Sequence, residues 1–306
     1  MNRNNLKGGA ILLTAALLWG IAFTAQSGAA TRIPSFLCNS LRSFIATVFL
    51  FLFLSFKKMR GGVGPIPETA TGRKKLFGCG ALCGLFLTVA VNFQQFGIMV
   101  YPEGVASEAR AGFLTALYVL FVPIFSVFVG KRADWKLWCA VGVALVGFYF
   151  LCLSGGISGI YLGDLLVLAS AVAFAFHILS VDRFGSEIDG VQLSMVQFAV
   201  VGVLSGVLFF IFEEVQWADI LAALPQILYL GIVSSGIAYT LQIVGQKYAE
   251  PTVASISMSM ESVFAALGGW VIMNNALTPR EILGCLLVFA AIVLAQLPKR
   301  LNVKNL

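Results

Sequence analysis

Glu261 sits in the middle of an apolar run, Pro251–Met273, that contains no basic residue. A charged group at the centre of a membrane span costs about 2.5–3.5 kcal/mol on insertion scales, so such residues tend to face a cavity or a partner. Without a cation nearby, a carboxyl favours its neutral form. Three roles are open to Glu261: exchanging a proton, binding a cationic group, or hydrogen-bonding a neighbouring helix in its protonated form. Ser257, one turn earlier, lies on the same face.

Other polar side chains fall inside apolar runs at helical spacing. Ser235, Tyr239, Gln242 and Gln246 follow one another at intervals of four, three and four. They form a polar stripe that either lines a cavity or joins helices at small-residue contacts such as Gly231, Gly236 and Gly245. Asn92 and Gln95 share a face from which Gln94 turns away, with the same two readings. Trp19, Phe23 and Gln26 run down one face of the first run, and Phe174 and His177 occupy the equivalent part of a later one. Aromatic walls with one or two polar groups are characteristic of small-molecule pockets, although such stripes also face lipid or pack. His177 is the only histidine, of a type that changes charge around neutral pH when unperturbed.

Two arginines complete the set. Arg42 lies about two turns inside the second run, with Asn39 one turn before it, and reads as structural, paired or snorkelling. Arg110 follows Glu108 near the start of the fourth run. Its guanidinium can grip a carboxylate through two parallel hydrogen bonds, so it is a candidate receptor for a substrate carboxylate. The alternatives are a contact with Glu108 or with a lipid headgroup. There is no glycine-rich phosphate loop with lysine, no H-E-x-x-H and no Ser/His/Asp grouping. None of the six cysteines forms a C-x-x-C pair, and all lie within or beside apolar runs, as small buried hydrophobes do. No enzyme chemistry, metal or cofactor is expected.

The elements that must position these groups are apolar stretches of membrane-spanning length. A bilayer core needs about 20 mostly apolar residues per helical crossing. The ten candidates are Gly8–Ala29, Phe36–Phe56, Leu76–Val100, Val105–Val129, Leu137–Leu153, Gly163–Val181, Val191–Phe212, Leu224–Gly245, Pro251–Met273 and Thr278–Leu297. Composition agrees, with 59% hydrophobic and 11% charged residues against about 45–50% and 25% in soluble domains. The net charge of +6 implies no nucleic-acid partner, because the basic residues form no stripe with interleaved aromatics. The first run is too long for the core of a cleaved signal peptide and is read as a span.

Lysine and arginine between spans set orientation, because cytoplasmic loops keep them. With both termini in the cytoplasm, sixteen basic residues fall on that side and three (Arg32, Arg110 and Arg280) on the other. The 57–75 segment, with six basic residues and Gly61-Gly62-Val63-Gly64-Pro65, reads as a basic cytoplasmic loop beside anionic lipid. The chain also repeats itself weakly. Lys7-Gly8-Gly9-Ala10 leads to Trp19-Gly20, and Leu162-Gly163-Asp164-Leu165 leads to Phe174-Ala175. Five spans per unit force the second copy to enter the membrane inverted, a plan common in transporters.

These features resemble the drug/metabolite transporter superfamily, in particular its ten-span EamA branch. The matching segments are Trp19-Gly20, Leu41-Arg42, Ala111-Gly112-Phe113-Leu114-Thr115-Ala116-Leu117-Tyr118-Val119 through Val122-Pro123, and Gly163-Asp164-Leu165-Leu166. They continue with Tyr239 to Gln242, Gln246-Lys247-Tyr248, Met260-Glu261-Ser262-Val263-Phe264 and Leu277-Thr278-Pro279-Arg280-Glu281. Two departures are Glu261-Ser262 where the family commonly has Glu-Pro, and Asn274-Asn275 where it commonly has Gly-Glu.

The resemblance implies an all-α integral membrane protein of ten helices in two inverted five-helix repeats, 7–153 and 163–297, followed by a cytoplasmic tail, 298–306. It implies a secondary transporter in the cytoplasmic membrane, moving a small amino-acid-like metabolite outward by alternating access around a central cavity. A proton gradient is the candidate energy source, and the unit is a monomer or homodimer. Candidate substrate contacts are Trp19, Phe23, Gln26, Asn92, Gln95, Arg110, Tyr118, His177, Tyr239, Gln242 and Glu261. The reading from another class is a membrane receptor or scaffold that binds a small ligand without moving it.

Overall fold

A computed structural model describes residues 3–128, 135–152, 160–185, 188–249, 251–274 and 276–296. Among these residues every regular element is helical. Lipid offers no hydrogen-bond partners, so an apolar run must satisfy its own backbone, which a helix does within one segment. The first half comprises α1 (Arg3–Ala30), α2 (Ser35–Met59), α3 (Ala70–Met99), α4 (Ser107–Ala116), α5 (Tyr118–Phe128) and α6 (Trp135–Cys152). The second comprises α7 (Leu162–Gly185), α8 (Gly190–Phe212), the short α9 (Trp217–Ala222), α10 (Leu224–Leu228), π-helical turns over Tyr229–Ala238, α11 (Tyr239–Gln246), α12 (Pro251–Met273) and α13 (Pro279–Gln296).

Six helices are long and apolar enough to cross a bilayer: Leu6–Ala30, Ser35–Met59, Ala70–Met99, Leu162–Val181, Gly190–Phe212 and Leu224–Gln246. Shorter apolar helices cover Ser257–Met273 and Ile282–Ala291. Large apolar side chains such as Phe210, Trp217 and Val271 are exposed on the surface, as expected where the solvent is hydrocarbon.

Three local features differ from a plain reading of apolar runs. Helices α2 and α3 extend into the 57–75 segment, leaving Arg60–Thr69 between them. Thr69 caps α3 by accepting from the Gly72 amide at 3.1 Å. The fourth run is split at Leu117, whose amide bonds the Leu114 carbonyl at 3.2 Å. The eighth run is interrupted by the π turns. The tail 298–306 lies outside the described residues.

Helices from the two halves pack as pairs: α2 on α8, α3 on α7, α1 on α12, and α6 on α13. Small residues allow the close approaches. A Cβ added to Gly163 would meet the Gly97 carbonyl oxygen at 2.6 Å, so α3 and α7 touch backbone to backbone there. The end of α8 is tied to the start of α2 by Glu213, whose carboxylate oxygens accept from the Phe36 and Leu37 amides, each at 3.0 Å. First-turn amides have no partner within their own helix, and an anion complements that helix end. Burial pushes the Glu213 carboxyl above its ordinary range, and the two amide bonds oppose the shift.

Candidate functional site

A cavity of about 40 Å³ lies between the halves. Eight of the eleven sequence candidates line it: Trp19, Phe23, Gln26, Tyr118, His177, Tyr239, Gln242 and Glu261. Arg42, Gln94, Thr115, Phe174 and Ser234 also contribute to its wall. The volume holds only a few water molecules, against about 300–1,000 Å³ for pockets that accept drug-sized ligands.

Tyr239, the first residue of α11, organises the aromatic wall. Its ring meets Trp19 edge-on at 4.9 Å and Phe198 at 5.2 Å, with His177 at 6.2 Å. His177 Nε2 pairs with Gln197 Oε1 at 3.1 Å, which fixes the imidazole against α8. Tyr118 and Glu261 line the cavity together. Glu261 Oε1 and Gln242 Oε1 have no hydrogen-bond partner among the described residues, although both side chains are buried.

The π turns create the opposite wall. A π turn adds a residue per turn and releases i→i+4 bonding, and such turns frequently occur at functional sites. Here the carbonyl of Ser234 accepts from Trp19 Nε1 at 3.3 Å. The hydroxyls of both Ser234 and Ser235 accept from Arg42, at Nη2 (3.2 Å) and Nε (3.1 Å), while Arg42 Nη1 donates to Gln26 Oε1 at 3.1 Å. Gly231 makes the arrangement possible: a Cβ there would meet Ile45 at 2.6 Å and the Arg42 carbonyl at 3.0 Å. Arg42 is 4% exposed. No carboxylate among the described residues lies within ion-pair distance of it.

Three sequence candidates stand elsewhere. Asn92 joins helices, accepting from Asn39 Nδ2 at 3.0 Å and donating to Ser205 Oγ at 2.9 Å. Gln95 sits behind Gln26 and donates to its carbonyl at 3.1 Å. Arg110 meets a partner within the fold. It grips Asp164 with two parallel bonds, Nε to Oδ1 at 3.1 Å and Nη2 to Oδ2 at 2.7 Å. Tyr101 Oη and the Tyr161 amide also donate to Asp164, at 2.8 and 3.0 Å. The fork expected to receive a substrate carboxylate is occupied by an internal one. The expected division of polar faces is also reversed in α3: Gln94, expected to turn away, lines the cavity and donates to Thr115 Oγ1 at 3.1 Å.

A second, larger crevice of about 490 Å³ lies along α12 and α13, with Trp270, Leu277, Leu286 and Phe289 in its wall. Among the described residues its lining offers no charged group or side-chain hydroxyl or amide to orient a polar ligand. The polar and ionisable side chains gather instead around the smaller cavity.

The sequence matches the EamA-like transporter family twice, over residues 6–153 and 161–297. The chain belongs to the EamA-like transporter family. It is 27% identical over 287 residues to an uncharacterized transporter of Archaeoglobus fulgidus, covering 94% of this chain and 84% of that protein. It is 23% identical over 290 residues to the uncharacterized transporter YoaV of Bacillus subtilis, covering 92% and 94%. A match to the threonine/homoserine exporter RhtA of Escherichia coli, at 26% identity, covers 59% of each chain. A solved crystal structure shares the fold, with a TM-score of 0.67 and 21% identity over 95% of this chain and 96% of its own. This EamA-family chain is a multi-pass membrane protein of the drug/metabolite transporter superfamily. The cavity draws on both family-matched segments: Trp19, Phe23, Arg42 and Tyr118 from the first, and Phe174, His177, Tyr239 and Glu261 from the second.

Proposed function

We propose that this protein is a secondary transporter that exports a small, amino-acid-like metabolite by alternating access around the central cavity. The observation that carries the reading is the shared lining: each half supplies about half of one polar and aromatic wall. A site divided in this way opens to one side or the other when the halves rock. Its small volume agrees with a contracted state that widens to admit cargo. Ten spans in two inverted five-helix units, 7–153 and 163–297, follow from this reading. Both termini then lie in the cytoplasm, with the protein in the cytoplasmic membrane as a monomer or homodimer. The pairing of α2 with α8 and α3 with α7 across the halves supports that plan. The expected substrate contacts are the eight cavity-lining candidates.

Flux and binding measured on one preparation test the proposal. Purified protein in liposomes is expected to exchange at least one compound from a broad panel of labelled metabolites. Tight binding without flux identifies a receptor instead, and neither binding nor flux across the panel refutes a small-molecule role.

A further inference from the structure

The cavity contains an imbalance of donors and acceptors that its own side chains do not resolve. A guanidinium has five N–H donors. Arg42 uses three, on Ser235, Gln26 and Ser234. One N–H on each terminal nitrogen remains without an acceptor among the described residues. Glu261 Oε1 and Gln242 Oε1 are acceptors without a donor. All three side chains are at least nine-tenths buried and line the same cavity. Tyr239 lines the cavity beside them, and Trp19, Phe23 and Phe174 complete an apolar wall.

We propose that this site recognises a zwitterion, with Arg42 receiving the carboxylate of the substrate and Glu261 together with Gln242 receiving its ammonium group. The assignment rests on the transport reading above and narrows the cargo to compounds of α-amino-acid type. Two spare N–H groups on one fork suit the two oxygens of a carboxylate. A buried cation held only by neutral dipoles is costly, and an incoming anion offsets that cost. A cationic drug would be repelled by Arg42. A neutral sugar would leave the guanidinium without a counter-charge, and a phosphate dianion would find one guanidinium among the described lining residues. The π turns gain a purpose, because they bring two consecutive serines onto the guanidinium and hold its fork in place.

The test uses the full-length protein in liposomes, with counterflow of a labelled mixture of the twenty common L-amino acids. Each acid is compared as competitor with its carboxamide, its decarboxylated amine and its deaminated acid. Wild type is expected to lose about 30-fold or more in competitor potency when either charged end is removed, the scale of an unpaired buried charge. Arg42→Gln should bring the acid and its carboxamide to equal potency, and Arg42→Lys, which keeps charge without the fork, should fall between. If Arg42→Gln does not fold, the analogue series on wild type still decides. Equal potency of acid and carboxamide on wild type overturns the Arg42 assignment and leaves transport standing. If labelled sugars, nucleosides or cationic drugs move but amino acids do not, the zwitterion proposal falls alone. If no compound moves, both fall.

Discussion

Two buried arginines, Arg42 and Arg110, are 4% and 3% exposed, yet they occupy opposite kinds of site. Arg110 has an internal carboxylate in bidentate contact, and Asp164 is further held by Tyr101 and the Tyr161 amide. The Tyr161 ring also lies 4.9 Å from the guanidinium. Charge and geometry are complete within the fold. Arg42 is held in place by a glutamine and two serines and meets no carboxylate among the described residues. Residue type and burial therefore do not separate a structural arginine from a functional one. The partner does: a satisfied pair fixes two helices, whereas a positioned cation with spare donors awaits a ligand.

Breaking the pairs one at a time should expose this difference. Arg110→Met leaves Asp164 buried and unpaired, so it should destabilise the protein by about 3–5 kcal/mol. Adding Asp164→Leu should restore most of that loss. Arg42→Met should cost less than about 1 kcal/mol, because it removes an uncompensated buried charge and the serines can bond back to their own helix. Unfolding in detergent measures all three variants. A larger loss for Arg42→Met than for Arg110→Met would reverse the comparison.

The two carboxyls sharpen the same contrast. If Glu261 also carries a proton against substrate movement, Glu261→Gln should abolish pH-gradient-driven accumulation, while exchange at equal pH persists with the weaker substrate affinity expected from loss of the ammonium contact. A side chain that is always neutral cannot change charge during the cycle. Gradient-driven accumulation and affinity both equal to wild type would reject the proton-carrying role and the ammonium contact together.

Gly231→Ala probes how Arg42 is held. The new Cβ would press on Ile45 and the Arg42 backbone, and overpacking of this kind costs about 1–3 kcal/mol. It should also weaken substrate affinity by shifting the π turns relative to α2. Unchanged affinity with reduced stability would separate the turns from the site.

The apolar runs made the helical membrane fold legible, because bilayer thickness sets helix length directly. Midspan polar and aromatic residues likewise pointed to Trp19, Tyr239 and Glu261. Long-range pairing was hidden. Nothing near Arg110 announces Asp164, 54 residues on, and Asn92 gives no sign of Asn39 or Ser205. The π turns also escaped a reading in 3.6-residue periods, so Ser235 was expected in the stripe while Ser234 lines the cavity. One signal for Arg42 was available: a basic residue inside a span, well away from its ends, is a functional candidate by default.

The smallest expected effect lies outside the membrane-spanning segments, at Glu213. Its folded-state affinity for protons is raised, so its contribution to stability is present below the unfolded carboxyl range and declines as pH rises through the folded value. Glu213→Gln should flatten that shallow decline. A decline of the same depth in the variant would assign it to other groups.

The central claim is that one cavity opens to each side of the membrane in turn. Ala22, 2% exposed and part of the cavity wall, offers a direct reporter. In a background without the native cysteines, Ala22→Cys should react with a membrane-impermeant thiol reagent applied from either side, and a transported substrate should change the ratio of the two rates. Reaction from one side only, unaffected by any compound that binds, would contradict alternating access.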